Sequence, residues 1–457
     1  MKIQCISPID GSIYAERNTL KRSEVNYAIE SAKLAQSGWA ERSLSERISL
    51  VRAGVAAIGA MNEEIVLELA HQMGRPVRYR GEFGGFEERA NYMAKIAGEA
   101  LAPIEIEDSS EFCRKIKRIP HGLVLVVAPW NYPYMTAINT IAPALIAGNS
   151  VILKHSSQTL LVGERLEKAF HSVGIPKEVF VNVFLDHETT TQLIAERAFD
   201  YVNFTGSVSA GKAIEFAASG TFTGIGLELG GKDPGYVMED ANLDAAVETL
   251  IDGAMFNSGQ CCCGIERIYV HESLYDAFVE KAVTIVNGYK LGNPLEPETT
   301  MGPMANVRFA NVVRNQIINA IKDGATAHID ATSFPQDKDA YLMPQILTNV
   351  THNMDIMCEE SFGPVVGIMS VKDDAEAVML MNDSKFGLTA SIWTRDQERA
   401  EKIADQIETG TVFMNRADYL DPGLCWTGCK DTGRGGGLSV IGYHNLTRPK
   451  SYHLKKL

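Results

Sequence analysis

Apolar residues follow two different rhythms along this chain. Before residue 100 they recur every three or four positions: Val25, Ala28, Ile29, Ala32 and Ala35 form one stripe, which predicts an amphipathic helix. Ser43-Leu44-Ser45-Glu46 has the form of a capping box, in which hydroxyl and carboxylate satisfy the first free amides of a helix. The helix it opens carries Ile48, Val51, Val55 and Ile58, and a third is predicted over roughly 62–70. From residue 122 the apolar positions come instead in strand-length runs, at 122–128, 150–153, 179–184 and 201–204. Amphipathic stretches at 160–171 and 189–198 separate them. That alternation predicts a parallel sheet with helices on both faces, and such sheets bind ligands where their strands end in loops.

Composition narrows the function classes. A length of 457 residues leaves room for two or three domains with large cores. The net charge of -14 argues against nucleic acid as a partner, because a phosphate backbone needs clustered Lys and Arg. Nowhere do eighteen apolar residues follow one another, so no membrane span is expected. The first residues carry no apolar run of signal-peptide length, and a cytoplasmic protein is expected. The eight cysteines fit a reducing compartment: Cys261, Cys262 and Cys263 cannot easily pair with one another. Only Cys425 and Cys429 are otherwise close, with no second pair beside them, so no structural metal is expected.

Three loops after the expected strands hold the polar residues of interest. They are Pro129-Trp130-Asn131-Tyr132-Pro133, Lys154-His155-Ser156-Ser157, and Thr205-Gly206-Ser207 leading to Gly211. Glycine and serine at a helix start let backbone amides meet a phosphate. This is not the Gly-x-Gly-x-x-Gly fingerprint, and a Gly-Ser turn is often only a turn. Further along, Cys262 sits in Gly259-Gln260-Cys261-Cys262-Cys263, and Glu228 precedes it by thirty-four residues. An ionised thiol attacks carbonyl carbon, and a carboxylate can later activate water against the resulting thioester. The pair points to acyl chemistry on a carbonyl substrate.

Taken together, these blocks resemble the aldehyde dehydrogenase superfamily, over nearly the whole chain. The resemblance is carried by Pro129–Pro133, 148–154, Phe204-Thr205-Gly206-Ser207 and 227–232, then by 256–263, 359–364 and 382–388. It implies an α/β fold: a Rossmann-type cofactor domain over 1–98 and 120–230, an α/β catalytic domain over 231–430, and a small β oligomerisation arm from 99–119 and 431–457. It implies oxidation of an aldehyde to a carboxylic acid with NAD+ or NADP+. Cys262 would be the nucleophile, Glu228 the base, and Asn131 a donor to the oxyanion. Cys261 and Cys263 would be packing neighbours, since side chains in an extended segment alternate. On the cofactor, Ser207 with Gly206 and Gly211 would meet the pyrophosphate, and Leu229 and Gly230 would border it. Trp130, Lys154 and Ser157 would line the adenosine end, and Glu360 with Phe362 would hold the nicotinamide ribose.

Two departures from the family pattern matter. Many NAD-preferring members carry Glu three residues after the lysine, where this chain has Ser157. Serine removes the charge that would repel a 2′-phosphate, so NADP+ is expected to be accepted. The segment 418–430 replaces a common substrate loop, and Tyr132, Asn139, Tyr419 and Trp426 are expected at the substrate entrance. No Arg or Lys is identifiable as a carboxylate clamp. The basic run 446–456 is expected to add a strand to a neighbouring subunit, giving a homodimer or homotetramer. A scaffold without turnover is the rival reading, set aside because Asn131, Glu228 and Cys262 occur together.

Overall fold

The computed structural model describes all 457 residues. The helical beginning runs as Arg22–Glu41, Leu44–Gly59, Asn62–Met73 and Phe83–Ala100. The Ser43 hydroxyl accepts from the Glu46 amide at 3.2 Å, half of the expected capping box, while the Glu46 carboxylate turns back to Arg42 at 3.0 Å. These helices bury their apolar stripes against the first of two large sheets.

That sheet has six strands, in the order Gly433–Arg434, Gly224–Glu228, Tyr201–Thr205, Leu123–Ala128, Ser150–His155 and Phe180–Asn182. All are parallel except the short Gly433–Arg434, which closes one edge against Leu227 and Glu228. From Leu123–Ala128 the chain first winds one way, through Ser150–His155 and Phe180–Asn182. It then returns to wind the other way. The direction therefore reverses between Leu123–Ala128 and Tyr201–Thr205, and the loops leaving these two strands part to open a crevice.

Between Glu228 and Asp233 the chain crosses into a seven-stranded sheet: Thr326–Ala327, Gln345–Thr348, Val365–Val371, Ile265–His271, Asp233–Val237, Thr389–Trp393 and Thr411–Met414. Only Thr326–Ala327 is antiparallel. Buried clusters lie on both faces of this sheet, one around Tyr236, Tyr269 and Met357, the other around Leu250, Phe278 and Ile368.

The arm differs from its expected form. Ile104–Asp108 and Phe112–Pro120 make the hairpin, but Thr447–Lys455 pairs along the whole of Phe112–Pro120 in the same chain. The pairing runs over nine consecutive residues, and the other edge of Thr447–Lys455 has no strand beside it. The arm is also narrower than 99–119 plus 431–457: Ala100 still belongs to a helix, and Gly433–Arg434 and the helix Ser439–Asn445 pack with the first sheet and its helices. No helix is long and apolar enough to cross a membrane.

Candidate active site

The crevice at the reversal point has a volume of about 260 Å³. One wall comes from the loops after Leu123–Ala128 and Tyr201–Thr205, with Trp130, Asn131, Gly206 and Ser207. Its floor is the crossover, with Glu228, Leu229 and Gly230. The opposite wall, from the second sheet, carries Cys262, Glu360 and Phe362. The fold thus gathers ten of the thirteen expected site residues in one cavity. Lys154 and Ser157 lie beyond it, at the end of the neighbouring strand, and Gly211 is behind it. A side chain at Gly211 would meet Leu229 at 2.5 Å, so this glycine lets the helix Val208–Ala218 lie flat on the sheet and does not line the crevice.

Asn131 is held by its main chain. Its carbonyl accepts from Arg75 Nη2 at 2.6 Å and from Asn257 Nδ2 at 3.2 Å, which leaves the side-chain amide free for the crevice. Arg75 is neutralised by Glu82, both almost fully buried. The same Glu82 carboxylate accepts from the Tyr134 and Met135 amides at 3.0 and 2.9 Å, so it caps the helix Pro133–Ala147 that begins at Asn131's loop. Removing one partner from a buried pair leaves an uncompensated charge. Glu82→Ala is therefore expected to lower unfolding stability by about 3–5 kcal/mol, read as a lower urea midpoint. A midpoint equal to the wild type's would show that this pair does not hold the corner.

Cys262 stands at the end of a strained segment. Asn257, Ser258 and Gly259 are all left-handed, with φ of 55°, 56° and 68°. For Asn and Ser that conformation persists only when the surroundings fix it. Here Ser258 Oγ donates to the Gly302 carbonyl at 2.8 Å, and Gln260 accepts from the Ala305 amide at 2.8 Å. The chain then turns at Cys262 and Cys263 instead of running extended, closed by the Gly264 amide on the Cys261 carbonyl at 3.2 Å. The turn corrects the expectation of an extended segment: Cys261 and Cys263 sulfurs lie 3.5 Å apart as free thiols, both facing Asp418 Oδ1. Cys262 alone faces the crevice.

The electrostatics separate these thiols. Hydrogen bonding from Cys261 and Cys263 lowers the Cys262 thiol well below its ordinary value, whereas those two are raised. Burial pushes Glu228 up to about 8, and the Cys262 thiolate adds to the rise. Burial likewise raises Glu360 to about 8. Glu360 is placed by an unexpected ion pair: Lys232 binds Glu266 at 2.6 Å and Ser361 Oγ at 3.1 Å, and Glu266 accepts the Ser361 and Phe362 amides at 2.8 Å each. The Glu360 carboxylate then takes the Gly231 amide at 3.1 Å. A side chain at Gly231 would meet the Cys262 carbonyl at 2.5 Å, so glycine is what allows crossover and nucleophile loop to touch.

Trp130 stacks on Phe309 with centroids 5.2 Å apart and meets Phe362 edge-on at 5.6 Å, which groups it with Glu360 and Phe362. Among the expected entrance residues, Tyr132 is half-buried with the Arg75 guanidinium over its ring, Asn139 faces Arg89, and Trp426 is buried. Tyr419 donates to Glu88 at 2.8 Å at the edge of an open basin shared with Tyr92 and Lys95.

A sequence profile described as "Aldehyde dehydrogenase family" matches residues 1–452. The chain belongs to the aldehyde dehydrogenase family. It is 31% identical to a succinate-semialdehyde dehydrogenase [NADP(+)] of Deinococcus radiodurans, over 97% of this chain and 93% of that one. It is also 31% identical to a vanillin dehydrogenase of Corynebacterium glutamicum, over 94% and 89%. The solved succinic semialdehyde dehydrogenase of Streptococcus pyogenes in complex with NADP+ superposes with a TM-score of 0.93 at 28% identity, covering 99% of this chain and 100% of that one. The protein is an NAD(P)-dependent aldehyde dehydrogenase. The crevice of this aldehyde dehydrogenase fits such a cofactor. The helix Val208–Ala218 starts at its edge with Ser207 as cap, offering unpaired amides for a pyrophosphate. Glu360 offers a carboxylate for ribose hydroxyls beside the Trp130–Phe362 wall.

Proposed function

We propose that this enzyme oxidises an aldehyde through a covalent thiohemiacetal and thioester on Cys262, with Glu228 activating the water that releases the acid. The observation that carries this reading is the meeting of a depressed thiol, a raised carboxyl and a free amide in one crevice. The Cys262 thiolate adds to the aldehyde carbon, and the oxygen takes up the negative charge. Asn131's amide offers that oxygen a hydrogen bond, a donor whose loss typically costs about a hundredfold or more in turnover. When bound, NAD(P)+ supplies the acceptor for the hydride that leaves the substrate carbon. Glu228 then removes a proton from water as the water attacks the thioester carbon, and the Cys262 sulfur leaves. The test is a panel of aldehydes read by the absorbance of reduced cofactor, with NAD+ and NADP+ in parallel; inertness toward all of them would end the proposal.

The cofactor preference has its own test. Lys154 is buried and makes no ion pair; burial lowers its ammonium below the ordinary value, and Asp186 opposes that shift. Ser157 is exposed one turn further on. Ser157→Glu would place a carboxylate where a 2′-phosphate is expected, and lower kcat/KM for NADP+ relative to NAD+ by about tenfold or more. An unchanged ratio would remove Ser157 from the cofactor site.

A reducing cytoplasmic setting accords with eight free thiols. Association into a homodimer or homotetramer is supported by the arm, whose outer strands leave Ile104, Ile106 and Leu454 exposed.

A further inference from the structure

On the helix Phe83–Ala100 the buried stripe runs Phe86, Arg89, Ala90, Met93, Ala94 and Ala97. One member is charged. Arg89 is only 9% exposed, yet no carboxylate lies within 4.0 Å of it. The two acids that might serve are engaged elsewhere: Glu82 by Arg75, and Glu88 by the Tyr419 hydroxyl. Arg89 Nη1 donates to the Met135 carbonyl at 3.0 Å and reaches Asn139 Oδ1 at 3.4 Å. Its Nε and Nη2 have no acceptor in the protein, though neither is sealed from solvent. Buried charges are ordinarily paired, because an isolated one is expensive to desolvate. Arg89 therefore lacks a partner that the protein does not supply.

Its surroundings say which kind of partner. Met135 and Asn139 lie one turn apart on the helix that starts beside Asn131, so the guanidinium is anchored to the helix that follows the oxyanion donor's loop. Its charge is felt at both Cys262 and Glu228. At Cys262, however, Cys261 and Cys263 act first and Arg89 last, so the thiolate is not in need of it.

We infer that Arg89 is the recognition site for a substrate carboxylate: the preferred aldehyde carries a terminal carboxylate a few bonds from its carbonyl, which pairs with Nε and Nη2 while the carbonyl reaches Cys262. This inference rests on the proposed thioester chemistry for its reacting end. A planar fork of parallel donors matches a carboxylate in two-point fashion, which an ammonium does not. An uncharged aldehyde of the same length leaves the buried cation unpaired, and such sites discriminate strongly against the analogue that lacks the group.

The test compares a four-carbon aldehyde bearing a terminal carboxylate with butanal, in the full-length enzyme, Arg89→Met and Arg89→Lys. The wild type should favour the charged aldehyde by about a hundredfold or more in kcat/KM. Arg89→Met should erase that preference, mainly through KM, and leave butanal within about threefold; Arg89→Lys should restore part of it. Binding is read separately, without turnover, by calorimetry with a four-carbon dicarboxylate and with inorganic phosphate on the resting enzyme. The dicarboxylate should bind the wild type and fail to bind Arg89→Met. Equal loss on both aldehydes would mean that Arg89 only positions the helix, and tighter binding of phosphate would contradict a carboxylate site. If no aldehyde were oxidised, the proposed reaction would fall, while the dicarboxylate titration would still decide the role of Arg89.

Discussion

Replacing Cys262 by Ala is expected to reduce aldehyde-dependent reduction of NAD(P)+ by at least about 10⁴-fold, because a nucleophile acts as one unit with its base and oxyanion donors. Folding should be little affected, since Cys262 is only half-buried at the border of the first core and the change removes a single sulfur. The control is Cys263→Ala. Its sulfur faces Asp418, away from the crevice, but also helps hold Cys262 as a thiolate, so that variant should still turn over, with its pH dependence shifted upward. Substantial turnover by the Cys262 variant would move the nucleophile to one of its neighbours and break the proposed mechanism.

Glu228→Gln should behave differently. The first turnover needs only thiolate, oxyanion donor and cofactor, so a burst of reduced cofactor is expected at close to the wild-type amplitude. Steady-state turnover should then fall by about 10²–10⁴-fold, because no base remains to activate water. A normal steady state would remove Glu228 from this role. The wild-type pH profile supplies a second reading. A carboxyl raised to about 8 is mostly protonated at neutral pH and works as a base only when ionised. Release of the acid should therefore quicken as pH rises through that range, and the Gln variant should lose that limb. The second cause of the rise is the Cys262 thiolate, whose charge vanishes once the sulfur is acylated. The base accordingly becomes easier to ionise at the stage when water must be activated.

Much of this arrangement was legible in the residues. The change of apolar rhythm at residue 122 located four of the first sheet's five parallel strands, because local period is set by local backbone geometry; Gly224–Glu228, with two glycines in five residues, was missed. The motif blocks brought Asn131, Glu228 and Cys262 to one place because the first two lie where strands of the first sheet end, and the crossover sets the loop of Cys262 against them. What escaped was mostly long-range. Arg75, Glu82, Lys232 and Glu266 read as ordinary charges until the fold buries them as pairs. Thr447–Lys455 reads as a free basic strand, and nothing nearby in sequence reveals that Phe112–Pro120 awaits it. Arg89 did leave a local trace: it interrupts the apolar stripe formed by Phe86, Ala90, Met93 and Ala97. A charge on the wrong face of an amphipathic helix was the available signal.

The crossover from Glu228 to Asp233 has one more effect. Glu228 ends a strand of the first sheet, whereas Cys262 precedes a strand of the second, and they meet only because Gly231 lets the two loops touch. A methyl group at position 231 would press against the Cys262 carbonyl, so the seam between the two sheets tolerates no side chain where carboxyl and sulfur come together.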